Sequence, residues 1–215
     1  MLKSLAVEWL PSILAANPLD LRNAVEKVVR SGIKQIHLDI MDGHFVPNIS
    51  FGPQIAESMH EAYPSLFLDV HLMLARPDDF IDPFLETGAG RITLHAELSK
   101  RIVTRSLKRL KDAACLTGLA INPETDVDVL FPYLEDWAID RVLIMSVHPG
   151  FSGQEFITSV LPKVKMLKMR YPNVMLCMDG GINPETAAQS FDYGARALVI
   201  GASFFQGLSV EKAYA

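Results

Sequence analysis

Short apolar runs rich in β-branched residues alternate with amphipathic stretches of helical period along almost the whole sequence. That alternation is the signature of βα units around a parallel sheet. The runs Glu8 to Leu14, Gln35 to Met41, Leu66 to Leu72, Arg91 to His95, Thr117 to Ile121, Arg141 to Val147, Val174 to Met178 and Ala197 to Ile200 predict strands. Their number, and a spacing of roughly 25 to 30 residues, fit a (β/α)8 TIM barrel. A doubly wound open sheet uses the same units and is the rival architecture. Between the runs, Leu19 to Val29 puts Leu21, Ala24, Val25 and Val28 on one helical face, suited to packing on a barrel wall.

A length of 215 residues suits one domain, expected over 1–215. With 49% hydrophobic and 21% charged residues the chain can bury a core, which excludes a disordered polymer. The net charge of -5 comes without any cluster of Lys and Arg able to track a phosphodiester backbone, so nucleic acid is not an expected partner. Cys115 and Cys177, the two cysteines, sit in apolar stretches and build neither a disulfide framework nor a thiolate metal cluster, which fits a reducing cytoplasm. Near the start, Lys3 and an apolar run imitate a secretory signal, but Glu8 interrupts it and export is not expected. No apolar run approaches the roughly 18 residues of a membrane span.

In a parallel barrel the chemistry gathers at the C-terminal ends of strands. Here several of those ends are polar. Alternation sends His37, Asp39 and Met41 to one face of the second strand, and His71 and Met73 to one face of the third. The seventh ends in Met178-Asp179-Gly180-Gly181. Taken singly, a strand-end His is usually a hydrogen-bonded structural residue and an Asp before Gly a turn former. Taken jointly, two imidazoles and two carboxylates converge on one mouth, a ligand set suited to Zn, Mn, Fe or Co. Glycine loops follow the last three strands: Pro149 to Gln154, Gly180-Gly181, and Gly201-Ala202-Ser203 ahead of an expected helix. Such loops serve turns, but at the late strands of a barrel they also bring backbone N–H groups and a helix end to a phosphate.

The run from His37 to Asn48 resembles the most specific signature of the ribulose-phosphate 3-epimerase family. Asp69 to Met73, Pro149 to Gln154, Met178 to Gly181 and the early Pro11 to Leu14 are similar to its other motifs, in family order from about Pro11 to Phe205. The resemblance implies that His37, Asp39, His71 and Asp179 bind one divalent metal ion, with no organic cofactor. It further implies that Asp39 and Asp179 are the acid and base of a 3-epimerisation through a metal-stabilised enediolate. Ser12 and His71 would touch the sugar. Gly150, Phe151, Ser152, Gly153, Gly180, Gly181, Gly201 and Ala202 would line the phosphate site. Ser152 stands where many members carry Gly, Ala202 where Ser is common, and His148 at a variable position; these departures bear on phosphate geometry and substrate choice.

Met41, Met73 and Met145 close strands near the same mouth. They serve as core filler or as a water-excluding cap over the reacting centre. Asp42, Asp69 and Glu97 are candidates for orienting the ligand imidazoles. The expected substrate is a small sugar phosphate, D-ribulose 5-phosphate and D-xylulose 5-phosphate interconverting; sister enzymes act on hexulose 6-phosphates of the allulose type. A barrel lyase would carry an Asp-x-Lys-x-x-Asp run at the second strand, and this chain has Asp39-Ile40-Met41-Asp42 there. A non-catalytic sugar-phosphate binding barrel is the reading of another class. No membrane partner is expected, and a homo-oligomer is the expected state.

Overall fold

The computed structural model describes residues 7–207. Lys3, which figures in the secretory-signal reading, lies outside the described residues, as do the ends of the 1–215 domain. Eight strands form one sheet in the order β1-β8-β7-β6-β5-β4-β3-β2, every neighbouring pair parallel. They are β1 (Glu8–Pro11), β2 (Gln35–Met41), β3 (Phe67–Met73), β4 (Arg91–His95), β5 (Leu116–Ile121), β6 (Arg141–Met145), β7 (Met175–Asp179) and β8 (Ala197–Ile200). The two ends of the sheet meet at a parallel bridge between Ser12 and His37, so the sheet is a nearly closed barrel. The open-sheet alternative is thereby excluded.

The helices α1 (Leu21–Arg30), α2 (Pro53–Ala62), α3 (Ile81–Glu86), α4 (Lys100–Asp112), α5 (Phe131–Asp136), α6 (Leu161–Arg170) and α7 (Pro184–Tyr193) fall between the strands, and α8 (Ala202–Phe205) follows β8. Local chemistry sets their limits. In α7 the Asn183 side chain accepts from the N–H groups of Glu185 and Thr186 while Thr186 Oγ1 accepts from Asn183 N–H, and Pro184 occupies the first turn. Gly194 then ends the helix at φ +114°. In α1, Ala24, Val25 and Val28 are buried, as their spacing predicts.

Two cores result from strand alternation. Outward residues such as Ile36, Leu38, Leu68, Val70, Ile92 and Leu94 pack beneath the helices. Inward residues of the late strands, among them Leu143, Met145, Cys177 and Val199, fill one side of the barrel. The other side of the interior is polar. Register explains it: β2 and β3 align His37 with Asp69, Asp39 with His71, and Met41 with Met73, and parallel partners point the same way.

The expected strand ends shift where side chains cap the chain. The first strand stops at Pro11, three residues earlier than predicted, because Ser12 Oγ accepts from Leu14 N–H and turns Ile13–Ala15 into a 3₁₀ turn. The sixth stops at Met145: Ser146 N–H still donates to the Asp179 carbonyl, but the Ser146 carbonyl accepts from Ile157 N–H instead of from the seventh strand, while its hydroxyl donates to the Asp179 and Gly180 carbonyls. The predicted helix near Ser203 is a single turn, too short to build an appreciable dipole.

Candidate active site

Four buried donors from three strands face one another at the mouth. Asp39 Oδ1 lies 3.3 Å from His37 Nε2 and 3.2 Å from His71 Nδ1. Asp179 Oδ2, at the end of β7, lies 3.7 Å from His37 Nε2 and 3.8 Å from His71 Nδ1. One ligand atom from each residue falls within 4.8 Å of all the others. A four-coordinate ion with bonds of about 2.0–2.1 Å has donor–donor edges of roughly 3.3–3.4 Å, so the cluster is close to the size of such a shell.

The remaining nitrogen of each imidazole is committed elsewhere. His37 Nδ1 donates to Asp69 Oδ2 at 2.7 Å, and Asp69 Oδ1 accepts from Arg91 at 3.1 Å and Arg141 at 3.2 Å. Burial would raise the Asp69 pKa, but the Arg141 charge and the His37 bond outweigh it and hold the group well below the usual carboxylate range. That leaves His37 Nε2 pointing into the cluster, fully buried and without a hydrogen-bond partner. An unpartnered buried ring nitrogen beside two carboxylates is what a cation site presents before the cation is counted. The residues therefore fit a divalent metal ion.

The electrostatics agree. Burial opposes charge on His37, yet the negative Asp39 and the bonded Asp69 raise its pKa well above that of free imidazole. A field that holds a proton there favours any cation among the four groups. Burial pushes His71 down to about 4. Asp39 is buried too, but His37 and His71 hold it far below the ordinary value, and Ser12 Oγ donates to its Oδ2 at 2.5 Å. Asp179 goes the other way: burial first, then the charge of Asp39, push it up to about 7.

Above the cluster opens a cavity of about 340 Å³. Ser12, Asp39, Asp179 and all three expected methionines line it, as do Gly150, Phe151, Ser152, Gly153, Gly180, Gly181, Gly201 and Ala202. His37 and His71 have no exposed surface and do not form its wall, so both imidazoles act from behind the aspartates. The glycines of the seventh loop are dictated by the backbone. Gly181 has φ +64°, and a Cβ there would come within 2.6 Å of Phe156 N.

Of the three candidates for orienting the imidazoles, Asp69 touches a cluster imidazole, that of His37, directly. Asp42 instead accepts from the N–H groups of His44, Phe45 and Ala75 and shapes the loop after β2. Glu97 reaches no ligand; it bonds His95 Nδ1 at 3.0 Å, and His95 Nε2 lies 2.9 Å from His71 Nε2. His95 was not singled out from the sequence. Its signal was there, a histidine closing β4 on the inward face, as His71 lies on the inward face of β3. Sequence reasoning also passed over Val147 and Asn183 on the cavity wall. His148 is exposed and faces Glu124 at 3.4 Å.

Fold and site together define a (β/α)8 barrel enzyme with a buried two-histidine, two-aspartate cluster beneath a glycine-looped cavity. Residues 8–205 match the model of the ribulose-phosphate 3 epimerase family. The ribulose-phosphate 3-epimerase of Bacillus subtilis is 40% identical over 200 residues, covering 91% of this chain and 90% of that one. Its counterpart in Eremothecium gossypii is 38% identical over 208 residues, covering 91% and 84%. Among solved structures, the 3-hexulose-6-phosphate synthase from Salmonella typhimurium superimposes with a TM-score of 0.73, covering 96% of this chain and 94% of that one; at 14% identity it shares the fold alone. The chain belongs to the ribulose-phosphate 3-epimerase family, and so to the isomerases. No helix among the described residues is long and apolar enough to cross a membrane.

Proposed function

We propose that this protein is a metal-dependent epimerase that inverts C3 of a ketose phosphate, interconverting D-ribulose 5-phosphate and D-xylulose 5-phosphate. The observation that carries this reading is the pair Asp39 and Asp179. Both face the same cavity, one held ionised and the other pushed up to about 7. Inversion beside a ketone needs a base on one face of the carbon and an acid on the other. β2 and β7 approach the mouth from separate arcs of the barrel, with β1 and β8 between them. Asp39 takes the C3 proton and Asp179 returns one to the opposite face; in the reverse direction the roles exchange.

His37, Asp39, His71 and Asp179 are the residues that would hold the divalent ion. Bound there, the ion supplies Lewis-acid stabilisation of the negative charge that develops on the sugar oxygens. Met41, Met73 and Met145 present soft, apolar surface to the same space and keep water from the enediolate. The loops at Gly150–Gly153, Gly180-Gly181 and Gly201-Ala202 take the phosphate, whose binding energy fixes C3 between the two acids. A single catalytic domain, a cytoplasmic location and a homo-oligomeric state belong to the same reading.

Incubation with ribulose 5-phosphate in heavy water tests it. Deuterium at C3 of the product xylulose 5-phosphate is the expected result. Release of carbon dioxide or formaldehyde would replace the epimerase by a lyase, and no turnover would leave a binding protein. Initial rates on a hexulose 6-phosphate, compared with the pentulose, decide the preferred chain length.

A further inference from the structure

The barrel closes incompletely beside one of the two aspartates. β1 ends at Pro11, and the bridge from Ser12 to His37 is its last pairing with β2. On the other edge β2 stays paired with β3 as far as Met41. Asp39 and Met41 therefore have a strand on one side and, among the described residues, none on the other. Ser50 fills the gap. Its Oγ accepts from Met41 N–H at 3.0 Å and donates to the Asp39 main-chain carbonyl. We propose that Ser50 is the positioning residue of Asp39, standing in for the missing strand. The proposal rests on reading Asp39 as a proton-transfer group.

The bonding has one direction only. An N–H donates and a carbonyl accepts, so the single hydroxyl hydrogen points at Asp39. One side-chain oxygen thus serves both main-chain groups that a parallel neighbour would pair. The Asp39 carboxylate is gripped separately, by Ser12 Oγ and the cluster imidazoles; Ser50 holds the main chain behind it. Asp179 is secured in a similar way, its main-chain carbonyl accepting from the Ser146 hydroxyl at 2.9 Å. Ser50 does not line the cavity, so it reaches the chemistry through Asp39 and Met41. Its loop has other fastenings. Asp42 and Ile49 form an antiparallel bridge, Gly43 N–H donates to the Asn48 carbonyl at 2.9 Å, and Asn48 Nδ2 donates to the Gly150 carbonyl at 2.7 Å. The two ends of the loop serve different parts of the substrate: Ser50 the reacting carbon, Asn48 the loop that takes the phosphate.

Ser50→Ala and Ser50→Thr, with Asn48→Ala for comparison, test this at saturating zinc, with thermal midpoints showing each variant folded. Without the hydroxyl the end of β2 is loose, and kcat on ribulose 5-phosphate should fall about 10–100-fold with KM within about twofold. Thr keeps the hydroxyl and should restore kcat to within a few-fold. Should S50A not fold, Ser50→Cys, close in shape but a weak donor, takes its place. Asn48→Ala loosens the same loop from its far end and should raise KM instead. A residue that merely stabilises the loop gives S50A the kcat of the parent, or the same kcat and KM profile as N48A; either result overturns the proposal. In 15N,13C-labelled protein the Met41 amide proton and the Asp39 carbonyl carbon should both move upfield in S50A and return in S50T. Unmoved shifts overturn the proposal whether or not the protein turns over. Failure of the epimerase reading looks different: the parent puts no deuterium into C3, while the shifts still report whether Ser50 holds the strand.

Discussion

Asp39 and Asp179 are chemically identical side chains less than 5 Å apart at their cluster oxygens, and their surroundings shift their pKa values in opposite directions. Two imidazoles and the Ser12 hydroxyl serve Asp39; Asp179 has burial and a like charge. Asp39→Asn and Asp179→Asn should each lower kcat/KM for epimerisation by about 10²–10⁴-fold, the usual contribution of a positioned acid or base. Solvent deuterium exchange into substrate, with metal content measured alongside, checks this and separates lost proton transfer from lost metal. Glu97 gives a pH prediction. Burial would raise its pKa, but the His95 bond and the Asn122 N–H hold it down at about 2. The unfolded chain thus binds more protons than the folded one between about pH 4.5 and 2, so the stability Glu97 contributes is complete above that window and lost as pH falls through it. The deficit of E97Q relative to the parent in urea melts should therefore shrink as pH drops from about 5 to 2. The four cluster residues were legible because alternation and strand ends fix which way they point. The contacts of His95 with His71 and Glu97 were not, because they depend on distances across strands that no spacing encodes.

At the scale of elements, the eight strands were visible as apolar runs, and their limits were set by side chains that compete with the ladder. Nothing in the apolar pattern of Leu10-Pro11-Ser12-Ile13-Leu14 says that the Ser12 hydroxyl will cap a turn and reach Asp39. The glycine loops were legible as loops; their close packing was not. Gly180 has φ +111°, and a Cβ on it would meet the Val147 side chain at 2.3 Å. Gly181 is packed against backbone, which cannot rotate away. Gly181→Ala should therefore cost about 1–3 kcal/mol of stability from the strained φ alone. It should also displace the loop at Phe156 and raise KM for the sugar phosphate more than it lowers kcat. Thermal melts and steady-state kinetics, with inorganic phosphate as a competing ligand, measure both effects. A KM rise with kcat preserved marks loss of uniform binding, as expected for an anchor remote from C3.

Across the whole molecule, the barrel interior divides into an apolar side under the late strands and a charged floor beneath the cluster. Glu8 pairs with Arg141, and Arg141 and Arg91 both donate to Asp69, which is 2% exposed and carries His37 on its other oxygen. Such networks add little over an apolar floor when intact, but breaking one partner strands a buried charge. Arg141 is 1% exposed but Asp69 keeps Arg91 and His37, so Arg141→Met should destabilise by about 1–3 kcal/mol, which for a chain of this size lowers the thermal midpoint by roughly 2–12 °C. The active site should feel far less. Asp69 keeps Arg91 at 3.1 Å and His37 at 2.7 Å, so His37 Nδ1 still donates to Asp69 and Nε2 still faces the cluster. Zinc affinity and kcat at 25 °C should then remain within a few-fold of the parent while the melting temperature drops. A fall in metal affinity as large as that of Asp69→Ala would instead mean that the floor and the mouth are one electrostatic unit, with Arg141 acting on the metal ligands through Asp69.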